Sequence, residues 1–146
     1  MQALANDQEV LNYIPQRPPF VMVDTLVDVV DKQAKSSFLI KSDNVLVNGN
    51  SFSEGGLVEN MAQTAALYAG YNAQKNNAKT PIGFIGAIKN LKVNTIPEVG
   101  QRLYTEVNLI NEVMSVQIVR AEVKDENQQS LASCEMRVFI QPEDAA

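Results

Sequence analysis

The chain has 146 residues, a formal charge of −5 and 45% hydrophobic residues, enough for one domain whose core needs no covalent staple. Its single cysteine, Cys134, excludes an internal disulfide and a multi-cysteine metal site, the lack of any histidine excludes histidine-ligated metal, and the acidic balance argues against nucleic acid as a ligand. Residues 1–12 carry neither a positive n-region nor an apolar h-region and no run reaches membrane-spanning length, so no membrane association and a cytoplasmic location are expected.

In chain order, Asp7 to Ile14 is predicted as a short helix, capped by Asn6 or Asp7 and stopped by Pro15. The stretch "PQRPPF" is extended, because each proline fixes φ and disfavours a helical predecessor. Phe20 to Val30 and Lys35 to Lys41 read as strands joined at "DKQ". A loop from Ser42 to Phe52 turns most tightly at Asn48-Gly49. A long helix is predicted from Gly55 to Asn76, with Ser53 as N-cap and Glu54 and Glu59 near its positive end. Leu57, Met61, Thr64, Ala65 and Tyr68 share one face; Glu59, Ala62, Gln63, Ala66 and Ala69–Gly70 share its neighbour.

The polar tail "NAQKNNAKT" leads to Pro81, and the remainder of the chain is strand-like. "IGFIGAIKNLKV" is rich in apolar and β-branched residues, and "LYTEVNLINEV", "SVQIVRAEV" and "SLASCEMRVFI" alternate with period two. "PEVGQR" supplies a turn and "KDENQQ" closes a hairpin. One long helix among alternating antiparallel strands implies an α+β fold, a curved sheet wrapped around a central helix, as a single domain over 1–146. The flat edge from Ile82 to Val93 favours pairing of two such sheets in a homodimer.

Without histidine, proton transfer near neutrality falls to a displaced carboxylate, a lysine, a tyrosine, or a histidine from another chain. Glu59 is the leading candidate; as a first-turn acid it either complements the helix dipole, worth roughly 0.3–1 kcal/mol, or moves a proton. Gly55-Gly56 is either a tight turn into the helix or an opening through which a carbonyl reaches backbone amides. Gln63 either orients Glu59 or a ligand or bonds within an interface. The alanine stripe reads as packing, Cys134 as a buried strand thiol, and Gln16 and Arg17 as structural, with Arg17 holding a loop or a carboxylate. Lys89, Lys92 and Arg102 are either solvated or face an acidic carrier, and Tyr68 and Tyr71 read as core and interface residues.

From about Glu9 to Gln141 the chain resembles the hot-dog fold and, within it, the 3-hydroxyacyl-ACP dehydratases of fatty-acid synthesis. "YIPQRPPFVMVD" is similar to that family's "LPHRxPFLLVD", and "ENMAQTAA" to its "EAMAQxxG" helix. "GFIGAIKNLKVNTIPEVGQRL" and "LASCEMRVFI" resemble its later strands. A looser likeness is to homologues that accompany aryl-polyene or flexirubin pigment synthesis. The resemblance implies acyl thioesters of an acyl carrier protein or coenzyme A as ligands, no cofactor, and sites built across a dimer interface. Carried over residue by residue, it implies Glu59 and Gln63 as catalytic. Gly55, Gly56, Phe52 and Ser53 are the expected substrate-binding residues, in a narrow apolar channel ending near Glu59. The family's loop histidine, in the motif F-x-G-H-F-P, has no counterpart in "NVLVNGNSFSEGGL", and Gln16 stands where the opening motif has its own histidine. Three readings remain: half of a dehydratase completed by a histidine-bearing paralogue in a heterodimer, a thioesterase using Glu59 and helix amides, and a non-catalytic acyl-binding homodimer.

Overall fold

The computed structural model of the chain describes residues 3–141, so the two ends of the domain expected over 1–146 lie outside the described residues. Strands β1 (Ala5–Asn6), β2 (Thr25–Val30), β3 (Gln33–Leu39), β6 (Gly83–Val93), β7 (Arg102–Val113), β8 (Val116–Lys124) and β9 (Ser130–Ile140) form one antiparallel sheet, ordered β1-β2-β3-β7-β8-β9-β6. A separate two-stranded ribbon, β4 (Val47–Asn48) and β5 (Ser51–Phe52), turns at Gly49, whose φ of +65° suits glycine. The sheet's inner face packs on α1 (Glu54–Lys75), the central helix the alternating strands called for.

Helix α1 begins where the sequence places its cap. Ser53 is extended, and its hydroxyl accepts the Gly56 N–H at 3.0 Å. Leu57, Met61 and Thr64 are fully buried, on the period that a helix covered by a sheet demands. They meet Phe38, Leu103, Val119 and Met136 from alternating positions of β3, β7, β8 and β9. A second, smaller cluster joins Leu67 to Val10, Ile14, Val23 and Leu26 and fastens the N-terminal segment along the helix. Gly70 permits that approach, since a Cβ there would run into the Tyr13 backbone.

A buried polar seam runs through this core. Thr64 and Ser36 hydroxyls lie 2.7 Å apart, Thr64 donates to the Asn60 carbonyl at 2.7 Å, and Thr105 donates to the Asn60 side chain at 2.5 Å. Asn60 in turn donates to the Met22 carbonyl at 2.7 Å. Each group finds a partner, as burial requires.

Three expectations shift. The first strand starts at Thr25 rather than Phe20, because residues 20 and 22 direct backbone groups to Asn60 and Gln63 instead of a ladder. Strand β3 spans Gln33–Leu39 rather than Lys35 to Lys41. The first helix is a tight 3-10 helix, Asp7–Asn12, capped by Asn6.

Strand β6 is the sheet's long free edge. Its ladder to β9 shifts register between Ile85 and Ala87 and again between Lys89 and Lys92. The first irregularity has a packing cause, since the Phe139 ring occupies the space a Cβ on Gly86 would need. Phe84, Ile85, Ile88 and Leu91 of this strand are all exposed.

Candidate functional site

Between the small face of α1 and the ends of β6 and β9 lies a cleft of about 90 Å³. Glu59, Ala62, Ala65, Ala66 and Ala69 line it from the helix, and Gly83, Ile85, Val138 and Ile140 from the strands. Pro15, Gln16 and Gln117 of β8 complete the wall; the "PQRPPF" stretch, expected to be extended, instead closes a turn in which the Phe20 N–H donates to the Arg17 carbonyl at 3.0 Å. Two larger open hollows, of about 350 and 490 Å³, contain none of the sequence-predicted site residues.

Glu59 is exposed and Gln63, one turn further on, is wholly buried. The Gln63 amide nitrogen donates to Glu59 Oε2 at 2.9 Å and to the Phe20 carbonyl at 2.9 Å, while its oxygen accepts the Met22 N–H at 2.6 Å. Gln63 thereby fixes the carboxylate on the cleft side and anchors the "PFVM" backbone in one bracket. An amide neither gives nor takes a proton near neutrality. The geometry makes Gln63 a group that positions the Glu59 side chain.

The structure does not bring Phe52, Ser53, Gly55 or Gly56 into the cleft. Phe52 is fully buried, its ring 5.9 Å from that of Phe38. Gly56 is small for the sake of that ring: an added Cβ would sit 2.5 Å from it. Its N–H is taken by Ser53 Oγ, whose own carbonyl accepts the Leu57 N–H at 3.1 Å. Gly55 alone is open, with only Ser53 Oγ within reach of a Cβ, at 3.8 Å. The alanine stripe, expected as packing, does two jobs: Ala62 and Ala65 touch the main core while the stripe as a whole walls the cleft.

Other candidates resolve in the same way. Arg102 is part-buried and bonded within the fold, to Asp24 at 3.1 Å and Ser37 Oγ at 3.1 Å. Lys89 and Lys92 remain exposed on β6. Arg17 clamps the carbonyls of Ile14 and Gln16 at 2.7 and 2.8 Å, the loop-holding role its planar fork suits. The Tyr68 hydroxyl accepts the Lys32 N–H at 3.0 Å, and Tyr71 packs on Tyr13 with ring centroids 5.7 Å apart. Burial pushes the Cys134 thiol up to about 11, its sulfur lying 3.8 Å from that of Met61, so it is an inert core thiol. Among the described residues no group of His, Cys, Asp and Glu is placed to hold a metal ion, and no helix is long and apolar enough to cross a membrane.

Sequence reasoning passed over Asn60, although a polar residue between Leu57 and Thr64 on a buried stripe is itself a signal of an internal network. It also treated Gln16 as structural; the structure sets Gln16 in the same cleft wall as Glu59.

A curved antiparallel sheet around one long helix, with an acid near the helix start at the mouth of a small-residue cleft, defines a hot-dog protein. Residues 8–146 match the sequence pattern described as "ApeP-like: ApeP dehydratase", and the chain belongs to that family. Among similar proteins, the 3-hydroxyacyl-[acyl-carrier-protein] dehydratase FabZ of Shewanella woodyi is 24% identical over 128 residues, covering 80% of each chain. That of Shewanella amazonensis is 28% identical over 127 residues, again covering 80% of each. Among solved structures, the dehydratase heterocomplex ApeI:P from Xenorhabdus doucetiae matches with a TM-score of 0.84 over 91% of both chains, at 15% identity. A hypothetical thioesterase with coenzyme A from Streptococcus pneumoniae TIGR4 matches with a TM-score of 0.64 at 8% identity, over 80% of this chain and 84% of the other. At such identities the structures establish the fold, and the family assignment rests on the sequence pattern.

Proposed function

We propose that the chain binds acyl thioesters in this cleft and acts as one half of a 3-hydroxyacyl-thioester dehydratase, with a histidine-bearing partner supplying the second acid–base group. The observation that carries the reading is Glu59, held by a buried Gln63 and lining a cleft walled by alanines from the helix and mainly aliphatic side chains from the strands. Dehydration removes the proton α to the thioester and protonates the hydroxyl that leaves as water. A single carboxylate would have to perform both transfers, and this chain has no histidine to share them.

Three features support the reading. The family is one of dehydratases, and the similar FabZ proteins are named for 3-hydroxyacyl groups on acyl carrier protein. A solved neighbour is described as a dehydratase heterocomplex. The exposed apolar residues of β6 suit pairing with the edge of a second sheet, from this chain or from a paralogue. An acyl carrier protein or coenzyme A would deliver the acyl group.

The test compares dehydration and thioester hydrolysis by the purified chain, alone and mixed with a histidine-bearing paralogue. Alone, dehydration should be slower by about 10²–10⁴-fold, the usual cost of one missing acid–base group, and mixing should restore it. Full dehydration without a partner would overturn the half-site reading. Hydrolysis by the pure chain that is lost in Glu59→Gln would make it a thioesterase, the reading favoured if Glu59 directs water at the thioester. Acyl binding without either activity would leave a binding homodimer.

A further inference from the structure

We infer that Gln16 recognises a hydroxyl on the acyl chain held in the cleft, and so selects 3-hydroxyacyl groups over saturated ones. This rests on the acyl-thioester reading above and assigns recognition of the hydroxyl to one residue. Gln16 Oε1 is buried without a hydrogen-bond partner, one of two such side-chain atoms among the described residues. An unpaired buried acceptor is uncommon in a folded protein and marks a place where a donor is missing.

The surroundings say which donor fits. Gln16 shares the cleft wall with Glu59, alanines and aliphatic side chains, and the other glutamine there, Gln117, already donates to Glu112 at 2.8 Å. An ionised carboxylate accepts only, so Glu59 cannot supply a donor to Gln16 Oε1 while charged. The Gln16 backbone is held by Arg17, which clamps its carbonyl at 2.8 Å. Its last side-chain torsion is soft, so the amide can turn to a ligand without moving the chain. A hydroxyl on the acyl chain brings the missing O–H donor into the cavity that holds Glu59, where the leaving oxygen of a dehydration has to be. A saturated chain brings none and leaves the acceptor unpaired.

The experiment measures binding of 3-hydroxyoctanoyl-CoA and octanoyl-CoA to the purified chain by calorimetry. The wild-type protein should favour the hydroxy ligand by about tenfold, a hydrogen bond's worth. Gln16→Leu and Gln16→Met should bind both ligands equally, at the octanoyl level, with thermal melting confirming that each variant folds. Equal binding by the wild-type chain overturns the role of Gln16 while leaving the acyl-thioester reading intact, and needs no variant to fold. A preference that survives both substitutions overturns it as well. Binding of neither ligand sinks the acyl-thioester reading itself, and this inference with it.

Discussion

Gln63 Nε2 lies 2.9 Å from Glu59 Oε2, one helical turn away, and the same amide group is bonded to both Phe20 and Met22. The candidate carboxylate is therefore positioned by the residue that docks the N-terminal segment onto the helix. Stability and site geometry share a side chain.

Replacing that side chain should register in both. Gln63→Leu leaves the buried Met22 N–H and the part-buried Phe20 carbonyl without their partner, at a cost of about 1–3 kcal/mol. A lower urea midpoint at unchanged slope is the expected result. No loss of stability would mean that water reaches both groups and that the bracket is ornamental.

The paired glycines should respond in opposite directions. Gly55→Ala adds a methyl group in open space on a helix and should stabilise by up to about 0.5–1 kcal/mol. Gly56→Ala drives a Cβ toward the Phe52 ring and should destabilise by about 1–3 kcal/mol. Thermal unfolding of the two variants side by side checks this. Equal effects would contradict the packing reason given for Gly56.

Acyl length should be read at Ala69. It lines the same cleft as Glu59 but lies ten residues on, roughly 15 Å along a helix rising 1.5 Å per residue. Ala69→Leu should weaken binding of an octanoyl thioester about tenfold, as two methylenes lose their burial, while sparing a butyryl thioester. Equal losses for both ligands would place the chain elsewhere.

Cys134 sets an alkaline limit. Burial raises the folded thiol from 9.0 to about 11, so its contribution is fully present below pH 9 and is lost as pH rises from 9 through 11. The size is on the order of 2–3 kcal/mol. Urea midpoints from pH 8 to 11 should fall more steeply for the wild-type chain than for Cys134→Ala, and parallel curves would refute the assignment. Alkylation of the native protein at pH 8 should be slow beside that of the unfolded chain.

Local signals carried much of this fold. Ser53 announces its helix, Leu57, Met61 and Thr64 mark its buried side, and the period-two strands announce the sheet that covers them. What stayed hidden depends on partners distant in sequence. Phe20 to Asp24 have strand-like composition, yet Asn60 and Gln63, some forty residues away, take the hydrogen bonds a ladder would need. Gly56 looks like an opening for a ligand until the Phe52 ring is seen to fill the space. The alanines look like packing because nothing in their spacing reveals that they share a cleft with residues of β6 and β9. Glu59 was legible as an acid at a helix start, but its bracket and the unpaired amide of Gln16 required the folded chain.

Gly83 and Ile85 belong at once to the free sheet edge and to the wall of the cleft. Under the half-site reading proposed above, a chain that pairs with that edge would become part of the container, and choice of neighbour and choice of cargo would be one decision. A cell making this chain in excess of a complementary subunit would fill edges with like copies and lower the number of finished sites. Output would then follow the ratio of the two chains, with the scarcer one setting the ceiling.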